Sequence, residues 1–478
     1  MSGRRLSFFG VFAFALVVRI LYLVSIRHAF FFDHLVTEPA FYDGWARAIV
    51  AGQAPVHLPF DEAPGFAYFV ALMYAIAGHS LLAVLIVQAV LGAGACAAIA
   101  VVAERVGGHH AGWLAGGIAA LYGPFVYFTG QLEPAALAVC AVSLALVATP
   151  GKDAPQWRWI LAGAAWALAI LVRSELALGV PFAVAHAWLA AGRRMAARMA
   201  LVPAALLVLS LTANTIACGR LVLLTNGAGI NLWLGNNPDA DGVNPFVHGR
   251  LAEVVREVEA GTTDPVERDH AFRGHAQFSA GLLLKKGVWT FSSRELPNAA
   301  DIHWQTEQSW VYHRPWFPLP FALVFPLALA GAVLLGRRWL DHVVLLGPIA
   351  GALAACVAFF TCARFRLVMV PSLIVLAASA LEPLLRSLRF PRQDVSRSAR
   401  LAIGAALGLI LSWPSYYDVA HFRVAQIDIN TGELEAAAGN LESAELHLRS
   451  GVQHDPTDLA AQRALERVIQ LRARAQMR

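Results

Sequence analysis

The chain has 478 residues, of which 58% are hydrophobic and only 14% are charged, and its mean hydropathy is +0.57. Several apolar runs reach the roughly 18–20 residues that cross a bilayer as a helix, so the composition predicts a polytopic membrane protein and excludes a soluble domain. Basic loops at the membrane account for the formal net charge of +5; no nucleic-acid partner is expected, because no basic–aromatic module accompanies it.

The cysteine and histidine content does not indicate a metal centre. The five cysteines lie within or beside the apolar runs, as buried thiols do, and no pair has metal-ligand spacing. The 16 histidines are scattered without a His-x-x-x-His pair. We therefore expect no zinc site and no bound cofactor, and the residues leave open whether a divalent cation takes part in the activity.

Eleven apolar runs are candidates for membrane spans. They cover residues 7–27, 80–103, 111–129, 133–149, 157–172, 176–192, 199–218, 316–336, 340–361, 367–386 and 401–415. Clusters of lysine and arginine set the orientation, since basic loops stay in the cytoplasm, and eleven spans place every such cluster there. One more apolar run, from Pro64 to Gly78, would reverse this order. We predict that it does not cross the membrane alone.

This orientation divides the chain into four segments. They are an N-terminal transmembrane catalytic module, 1–218, which includes a first outer loop, 28–63; a periplasmic loop domain, 219–315; C-terminal transmembrane helices, 316–415; and a helical tail, 416–478. The predicted fold class is an all-α polytopic bundle of about 11 transmembrane helices, with a cytoplasmic N-terminus and a periplasmic loop and tail. The short cytoplasmic loops leave no room for a nucleotide-binding domain.

At the first outer loop, the stretch Thr37–Pro64 gathers four carboxylates in a chain that has few. A helix is predicted from Pro39, because proline suits the first helical position and disfavours helical geometry in the residue before it. Glu38 then lies at the positive end of the helix, where it either acts as an ionised general base or simply caps the helix. An aromatic face that includes Tyr42 and Trp45 predicts that this helix lies on the membrane surface.

The other acidic residues of this stretch have structural explanations beside a role in binding. Asp43 and Arg47 are four residues apart, which is the spacing of an ion pair on the solvent side of a helix. Asp61 and Glu62 precede Pro64 and suit a turn. All three acidic residues are also candidates for substrate binding, because four carboxylates at a membrane surface indicate chemistry there.

Other polar residues lie at membrane level. Glu133 follows the third span, where it would bind a cation or a hydroxyl group, or cap the helix that opens with Pro134. Arg364 and Arg366 are at the outer face, against the general charge trend, and suit either a phosphate arriving from the lipid layer or interfacial snorkelling. Arg19, near the middle of the first span, is expected to find a partner in the bundle interior.

The large outer loop opens with an asparagine- and glycine-rich segment, T-N-G-A-G-I-N-L-W-L-G-N-N-P-D-A-D-G, residues 225–242. This composition indicates either a site that binds a sugar or lipid, with Asn236 and Asn237 as candidate ligands, or a plain turn-rich loop. Arg173 and Glu175 mark another outer turn, where they are expected to pair.

The tail carries small residues at tetratricopeptide-repeat spacing from about Ala425, without the usual aromatic residues of that repeat. A single repeat cannot bury its own apolar face. We therefore predict that the tail docks on an outer loop or binds a protein partner.

Six loose motifs follow one another along the chain. They are E-P-A-F-Y-D-G-W-A-R-A-I-V-A-G (38–52), F-D-E-A-P-G-F-A-Y-F-V-A-L (60–72), L-Y-G-P-F-V-Y-F-T-G-Q-L-E (121–133), G-I-N-L-W-L-G-N-N-P-D-A-D-G (229–242), R-E-L-P-N (294–298) and A-R-F-R-L-V-M-V-P (363–371). In this order they resemble the membrane-integral, lipid-dependent glycosyltransferases of the GT-C class. The closest likeness is to bacterial relatives of protein O-mannosyltransferases (glycosyltransferase family 39) and of the aminoarabinose transferase of lipid A, some of which carry C-terminal tetratricopeptide repeats.

The resemblance implies that an acidic residue in the first outer loop is the catalytic base. The class has aspartate there; the matching position in this chain is Glu38, with Asp61 and Glu62 as the second choice. The resemblance further implies that a set of polar residues binds substrate, with the two arginines facing the lipid-linked sugar donor. The set comprises Tyr42, Asp43, Asp61, Glu62, Glu133, Asn236, Asn237, Glu295, Arg364 and Arg366.

The predicted activity is inverting transfer of a sugar from a polyprenyl-phosphate donor to a hydroxyl group of a lipid, glycan or protein acceptor, at the outer face of a bacterial inner membrane. Two alternatives belong to other classes. A lipid or glycan transporter would need ionisable residues deep in several spans, whereas Arg19 is nearly alone there. A membrane-anchored assembly scaffold would act through the tetratricopeptide-like tail.

Overall fold

The computed structural model of the protein describes residues 2–32, 34–35, 37–53, 59–243, 250–296, 302–389, 395–413, 425–454, 456 and 459–476. Within these ranges the chain forms helices and no β-strand, so the predicted all-α class is confirmed. The predicted boundary between transmembrane helices and tail, residues 415/416, lies outside the described residues.

The helices follow one another with short connections. The first ten are α1 (Ser2–Ile26), α2 (Thr37–Val50), α3 (Gly65–Ala77), α4 (Leu81–Gly107), α5 (His109–Leu121), α6 (Gly123–Tyr127), α7 (Pro134–Ala148), α8 (Gln156–Val172), α9 (Val180–Ala191) and α10 (Arg193–Cys218). The outer loop contains α11 (Ala228–Gly235), α12 (Arg250–Gly261), α13 (Pro265–His275), α14 (Ala280–Trp289) and α15 (Ile302–Glu307). The remaining helices are α16 (Phe321–Leu335), α17 (Leu346–Ala358), α18 (Ala363–Arg366), α19 (Val370–Arg389), α20 (Val395–Leu411), α21 (Ala425–Ala437), α22 (Leu441–His454) and α23 (Leu459–Gln476).

Six helical stretches among the described residues are long and apolar enough to cross a membrane. They are Phe8–Ile26, Leu81–Gly107, Ser174–Ala191, Arg193–Cys218, Arg338–Ala358 and Ala363–Leu381. Five shorter apolar helices accompany them, and α3, the predicted non-crossing run, is among these. The protein is therefore a multi-pass membrane protein, while the count of eleven spans and the orientation stay predictions.

The predicted span 111–129 is interrupted in the structure. α5 ends at Leu121, and Tyr122 is extended, where its backbone bridges to Leu319. Gly123 and Pro124 then begin α6, and a 3₁₀ turn, Phe128–Gly130, follows. The break has a local cause, because proline has no amide hydrogen with which to continue the hydrogen bonds of α5.

Helix α4 lies at the centre of the bundle, against α1, α5, α7 and α19. Its buried face is rich in alanine and glycine, and small side chains allow helix backbones to approach closely in a membrane. Arg19 of α1 reaches this face and donates hydrogen bonds to Cys96 Sγ at 3.3 Å and to the Ala15 carbonyl at 3.2 Å. The expected inward orientation of Arg19 is thus observed.

Helices α2 and α3 pack against each other as a pair, and they come before the central helix α4 in the chain. Tyr42 and Ala46 of α2 are buried against Phe66 and Val70 of α3. Tyr42, on the face of α2 that was predicted to lie on the membrane, is therefore covered by protein, whereas Trp45 on the same face is only partly buried. The cover comes from α3, because this helix packs its apolar side chains against α2.

A buried lysine ties the outer loop to the membrane bundle. Lys286 of α14 is fully buried and donates hydrogen bonds to the Gly235 carbonyl at 3.2 Å, the Phe359 carbonyl at 2.8 Å and Asn236 Oδ1 at 2.8 Å. Burial lowers the pKa of Lys286 to about 8. These bonds join the end of α11 to the end of α17.

The tail folds back onto the first outer segment. α21 lies against the 3₁₀ turn Phe30–Phe32, and Leu434 is buried in one apolar cluster with Phe31. His447 of α22 contacts the Trp304 ring at a centroid distance of 6.1 Å. The predicted docking of the tail on an outer loop is therefore observed, whereas its tetratricopeptide character stays a prediction.

Candidate active site

A cavity of about 340 Å³ opens beside the N-terminal end of α2. Its polar wall combines residues from five separate stretches of the chain, and its other wall is apolar. The polar lining includes Glu38, Tyr42, Asp61, Glu62, Arg173, Ser174, Glu175, Thr225, Asn231 and Arg364. The apolar lining includes Ala63, Val172, Leu178, Ala354, Ala355, Ala358, Phe359 and Phe365. This mixture suits an amphiphilic ligand with a charged group and a hydrocarbon chain.

The acidic mouth of α2 and the late arginine motif meet in this cavity. Glu38 lies in the first turn of α2, one residue inside the observed helix start, and its carboxylate forms an ion pair with Arg364 Nη1. Glu133 Oε2 lies 3.9 Å from the same nitrogen. One guanidinium group therefore faces two carboxylates that are far apart in sequence.

A second guanidinium group lines the same cavity. Arg173, at the end of α8, donates from Nε to Glu175 Oε1 at 2.6 Å, so the expected pair forms. Both guanidinium groups lie near the Phe365 ring: the carbon of Arg173 is 5.0 Å from its centroid, and that of Arg364 is 5.3 Å away. Sequence reasoning did not include Arg173 in the site. The sequence signal that could have indicated Arg173 was its charge pair with Glu175 at the end of an apolar run.

Asp61 and Glu62 open into the cavity from a segment that is held by backbone hydrogen bonds. The amide of Asn226 donates to the Phe60 carbonyl at 2.7 Å, and the amide of Gly227 donates to the Asp61 carbonyl at 3.0 Å. Glu62 is exposed to the cavity, and the surrounding protein partly desolvates its carboxyl group. That desolvation raises the pKa of Glu62 to about 7, although the charge of Arg173 acts in the opposite direction.

Gly227 is expected to be indispensable for the position of this segment. A Cβ atom at Gly227 would lie 2.6 Å from the Asp61 carbonyl oxygen, which is backbone and cannot move aside cheaply. We expect Gly227→Ala to lower the free energy of unfolding by about 1–3 kcal/mol and to shift Glu62. Gly274→Ala, in α13, is the matched control because nothing lies within 4 Å of its added Cβ atom. Thermal unfolding of both purified variants checks this; equal midpoints would contradict it.

Asp43 points away from the cavity. Tyr74 donates to Asp43 Oδ1 at 2.7 Å, His79 Nε2 lies 2.7 Å from the same oxygen, and Arg47 pairs with Oδ2 at 2.9 Å. Burial raises the pKa of Asp43, but these hydrogen bonds and charges outweigh it and lower the pKa overall. The predicted pair with Arg47 thus forms, yet Asp43 is buried and joins α2 to α3, which differs from the substrate-binding role predicted for it.

Arg366 and Glu295 also lie elsewhere than predicted. Arg366 is 2% exposed, pairs with Glu295 Oε2 at 2.5 Å and donates to the Ser292 carbonyl at 2.5 Å. Its guanidinium carbon lies 4.0 Å from the Phe321 ring centroid. Neither residue is among those that line the cavity. The pair joins α18 to the outer loop, because two residues along a helix turn a side chain to nearly the opposite side.

The two asparagines of the outer loop are likewise engaged with protein. Asn236 is fully buried and donates to the Ala358 carbonyl at 2.6 Å. Asn237 donates to the Trp233 carbonyl at 3.2 Å within its own helix end. Their amides therefore shape the loop beside the cavity wall, and the turn-rich interpretation of this segment is the one that matches their contacts.

Comparisons with known proteins place one part of the chain. No curated protein sequence matches it. Among solved structures, it is similar to the oligosaccharyltransferase AglB of Archaeoglobus fulgidus, crystallised with an inhibitory peptide and a dolichol-phosphate, at 15% identity over 86% of this chain and 55% of AglB, with a TM-score of 0.46. It is also similar to ArnT of Cupriavidus metallidurans bound to undecaprenyl phosphate, at 14% identity over 85% of this chain and 90% of ArnT, with a TM-score of 0.34.

The chain thus spans about half the length of AglB. A family model extends over residues 61–217, about a third of the chain, so it begins at Asp61, after Glu38, and ends before Arg364. This model describes the dolichyl-phosphate-mannose-protein mannosyltransferases. Residues 61–217 therefore match the dolichyl-phosphate-mannose-protein mannosyltransferase family, which confirms the resemblance to the GT-C class that the motifs predict.

Proposed function

We propose that the protein is an integral membrane glycosyltransferase that moves a sugar from a polyprenyl-phosphate donor to an acceptor hydroxyl group. The family match of residues 61–217 supports the reaction class. The observation that carries the proposal is the cavity in which Glu38 and Arg364 face each other beside an apolar wall. The active side is then the outer face of a bacterial inner membrane, with the large loop and tail in the periplasm.

In the proposed reaction, Glu38 takes the proton of the acceptor hydroxyl group as its oxygen attacks the anomeric carbon of the sugar. The bond from that carbon to the phosphate oxygen breaks, and polyprenyl phosphate leaves with the electron pair. Arg364 stabilises the negative charge that develops on the leaving phosphate. A single displacement inverts the configuration at the sugar, and the apolar lining of α17 holds the start of the prenyl chain.

The test is incubation of the full-length protein in lipid nanodiscs with a panel of polyprenyl-phosphate sugars, with and without EDTA. Consumption of one sugar donor, and its loss in Glu38→Gln, is the expected result. The configuration of the product reports inversion, and the EDTA arm reports any divalent cation. The proposal fails if no sugar donor is consumed by a protein that binds polyprenyl phosphate.

The pKa of Glu62 predicts how binding of the sugar donor depends on pH. Below pH 7 the carboxyl group is mainly neutral, and above pH 7 it places a negative charge in the cavity that must accept a phosphodiester. Affinity for the sugar donor is therefore expected to fall by about tenfold between pH 6 and pH 8. Glu62→Gln should remove this dependence. Binding titrations at three pH values check it, and an unchanged slope in the variant would contradict it.

A further inference from the structure

Arg364 has hydrogen-bonding capacity beyond its ion pair with Glu38. Its side chain is 11% exposed, and its Nε atom is buried and donates to no partner among the described residues. A guanidinium group carries five N–H donors in a rigid fork that matches phosphate oxygens. Arg364 lines the cavity, so a ligand there lies next to a guanidinium group whose hydrogen-bonding capacity is not fully used.

The surroundings of Arg364 favour an anion on an apolar chain. Arg173 lines the same cavity, and both guanidinium groups lie near the Phe365 ring, so two cations lie near one point. Each already has carboxylate neighbours: Glu38 and, at 3.9 Å, Glu133 for Arg364, and Glu175 for Arg173. A phosphate that enters the cavity must therefore compete with carboxylates for its cations.

We propose that Arg364 exchanges partners: the Glu38 carboxylate holds it in the empty protein, and the phosphate of the sugar donor takes it over on binding. This inference rests on the proposed function. Glu38 loses its counterion at that moment and becomes free to accept a proton. Glu38 is thus held in its ion pair until the sugar donor binds, and binding of the sugar donor itself releases it to act as the base.

Charge repulsion explains why Glu38 and the phosphate would exchange places at Arg364 and would not both pair with it. A phosphate beside Arg364 brings negative charge next to Glu38, and like charges in a recessed site repel strongly. Binding linkage is reciprocal, so if phosphate binding displaces Glu38, the charge of Glu38 must weaken phosphate binding. Removing that charge without changing the size of the side chain should therefore strengthen binding.

The experiment compares wild type and Glu38→Gln as full-length proteins in nanodiscs, with undecaprenyl phosphate as the ligand. We expect the dissociation constant to fall about tenfold in the variant. Equal or weaker binding would overturn the exchange. Glu442→Gln, whose side chain is 86% exposed in the tail, is the charge-matched control and should bind as wild type does. If Glu38→Gln does not fold, Glu38→Asp should show a smaller gain, because its carboxylate is one methylene shorter.

Two further ligands separate the sources of the effect. Undecaprenol, which lacks the phosphate, should bind both proteins equally, and a gain in the variant would overturn the exchange. Inorganic phosphate as a competitor separates the head group from the chain: a gain for inorganic phosphate without one for the lipid would refute the lipid assignment. Tighter lipid binding by Glu38→Gln in a protein that consumes no sugar donor leaves the exchange intact and refutes the proposed function. Sugar transfer by the wild type, with no tighter lipid binding in Glu38→Gln, supports the proposed function and refutes the exchange.

Discussion

Glu38→Gln is expected to reduce sugar transfer by about 10²- to 10⁴-fold, the usual contribution of a general base. Glutamine keeps the size and hydrogen-bonding shape of the side chain but cannot accept the proton of the acceptor hydroxyl group. Because Glu38 pairs with Arg364 at the cavity edge, the variant should still fold and still bind the lipid phosphate. Single-turnover transfer, with the protein in excess over the sugar donor, measures the chemical step apart from product release.

Three companion variants make this result specific. Glu38→Asp keeps a carboxylate and introduces the aspartate that the GT-C class has at the matching position. It should therefore retain part of the transfer rate that Glu38→Gln loses. Asp61→Asn and Glu62→Gln test the second choice of base, since both residues open into the cavity. If Glu62→Gln abolished transfer while Glu38→Gln left it near normal, the base would be Glu62. That outcome would also explain a pKa of about 7 at Glu62, which suits a group that exchanges protons near neutral pH.

Arg364→Gln is expected to weaken the binding of polyprenyl phosphate by about 100-fold. A charge-assisted hydrogen bond contributes about 1.5–3 kcal/mol, and the variant loses both the charge and the fork of donors. It should nevertheless fold, because Arg364 lines a cavity and its ion pair with Glu38 is at the cavity edge. Titration with the lipid phosphate, beside a melting curve that shows a folded protein, checks both halves of the expectation.

Arg366→Gln should behave in the opposite way, although it lies only two residues further on. Its removal leaves Glu295 and the Ser292 carbonyl without their buried partner, which is expected to lower the free energy of unfolding by about 3–5 kcal/mol. The double variant Arg366→Gln, Glu295→Gln removes the uncompensated carboxylate and should recover part of this loss. Normal stability of Arg366→Gln with lost lipid binding would restore the phosphate role that the sequence predicted for it.

Hydropathy was sufficient to predict an all-helical membrane protein, and charge spacing predicted some local pairs. The pair of Asp43 with Arg47 is an example, because four residues on one helix determine it. Its burial was not predictable, since Tyr74 comes from α3 and His79 from the connection between α3 and α4. Periodicity describes one helix at a time and says little about what lies opposite.

The arginine motif shows what the sequence could have revealed and did not. Arg364 and Arg366 were both assigned to the lipid phosphate, yet at 3.6 residues per turn their side chains point about 200° apart. Only one of them could face the cavity. The second arginine of the cavity, Arg173, was not expected. It lies almost 200 residues before Arg364, and only the tertiary packing around Phe365 brings the two guanidinium groups together.

The return of α21 to the first outer segment has a consequence for biosynthesis. Phe31 leaves the ribosome roughly 400 residues before Leu434, the tail residue that is buried with it. At about 5–20 residues per second, that delay lasts on the order of 20–80 s. During this interval Phe31 can pack against earlier members of the same cluster, such as Trp304, but lacks the cover that Leu434 provides. The apolar cluster around Phe31 is therefore complete only after α21 has been synthesised.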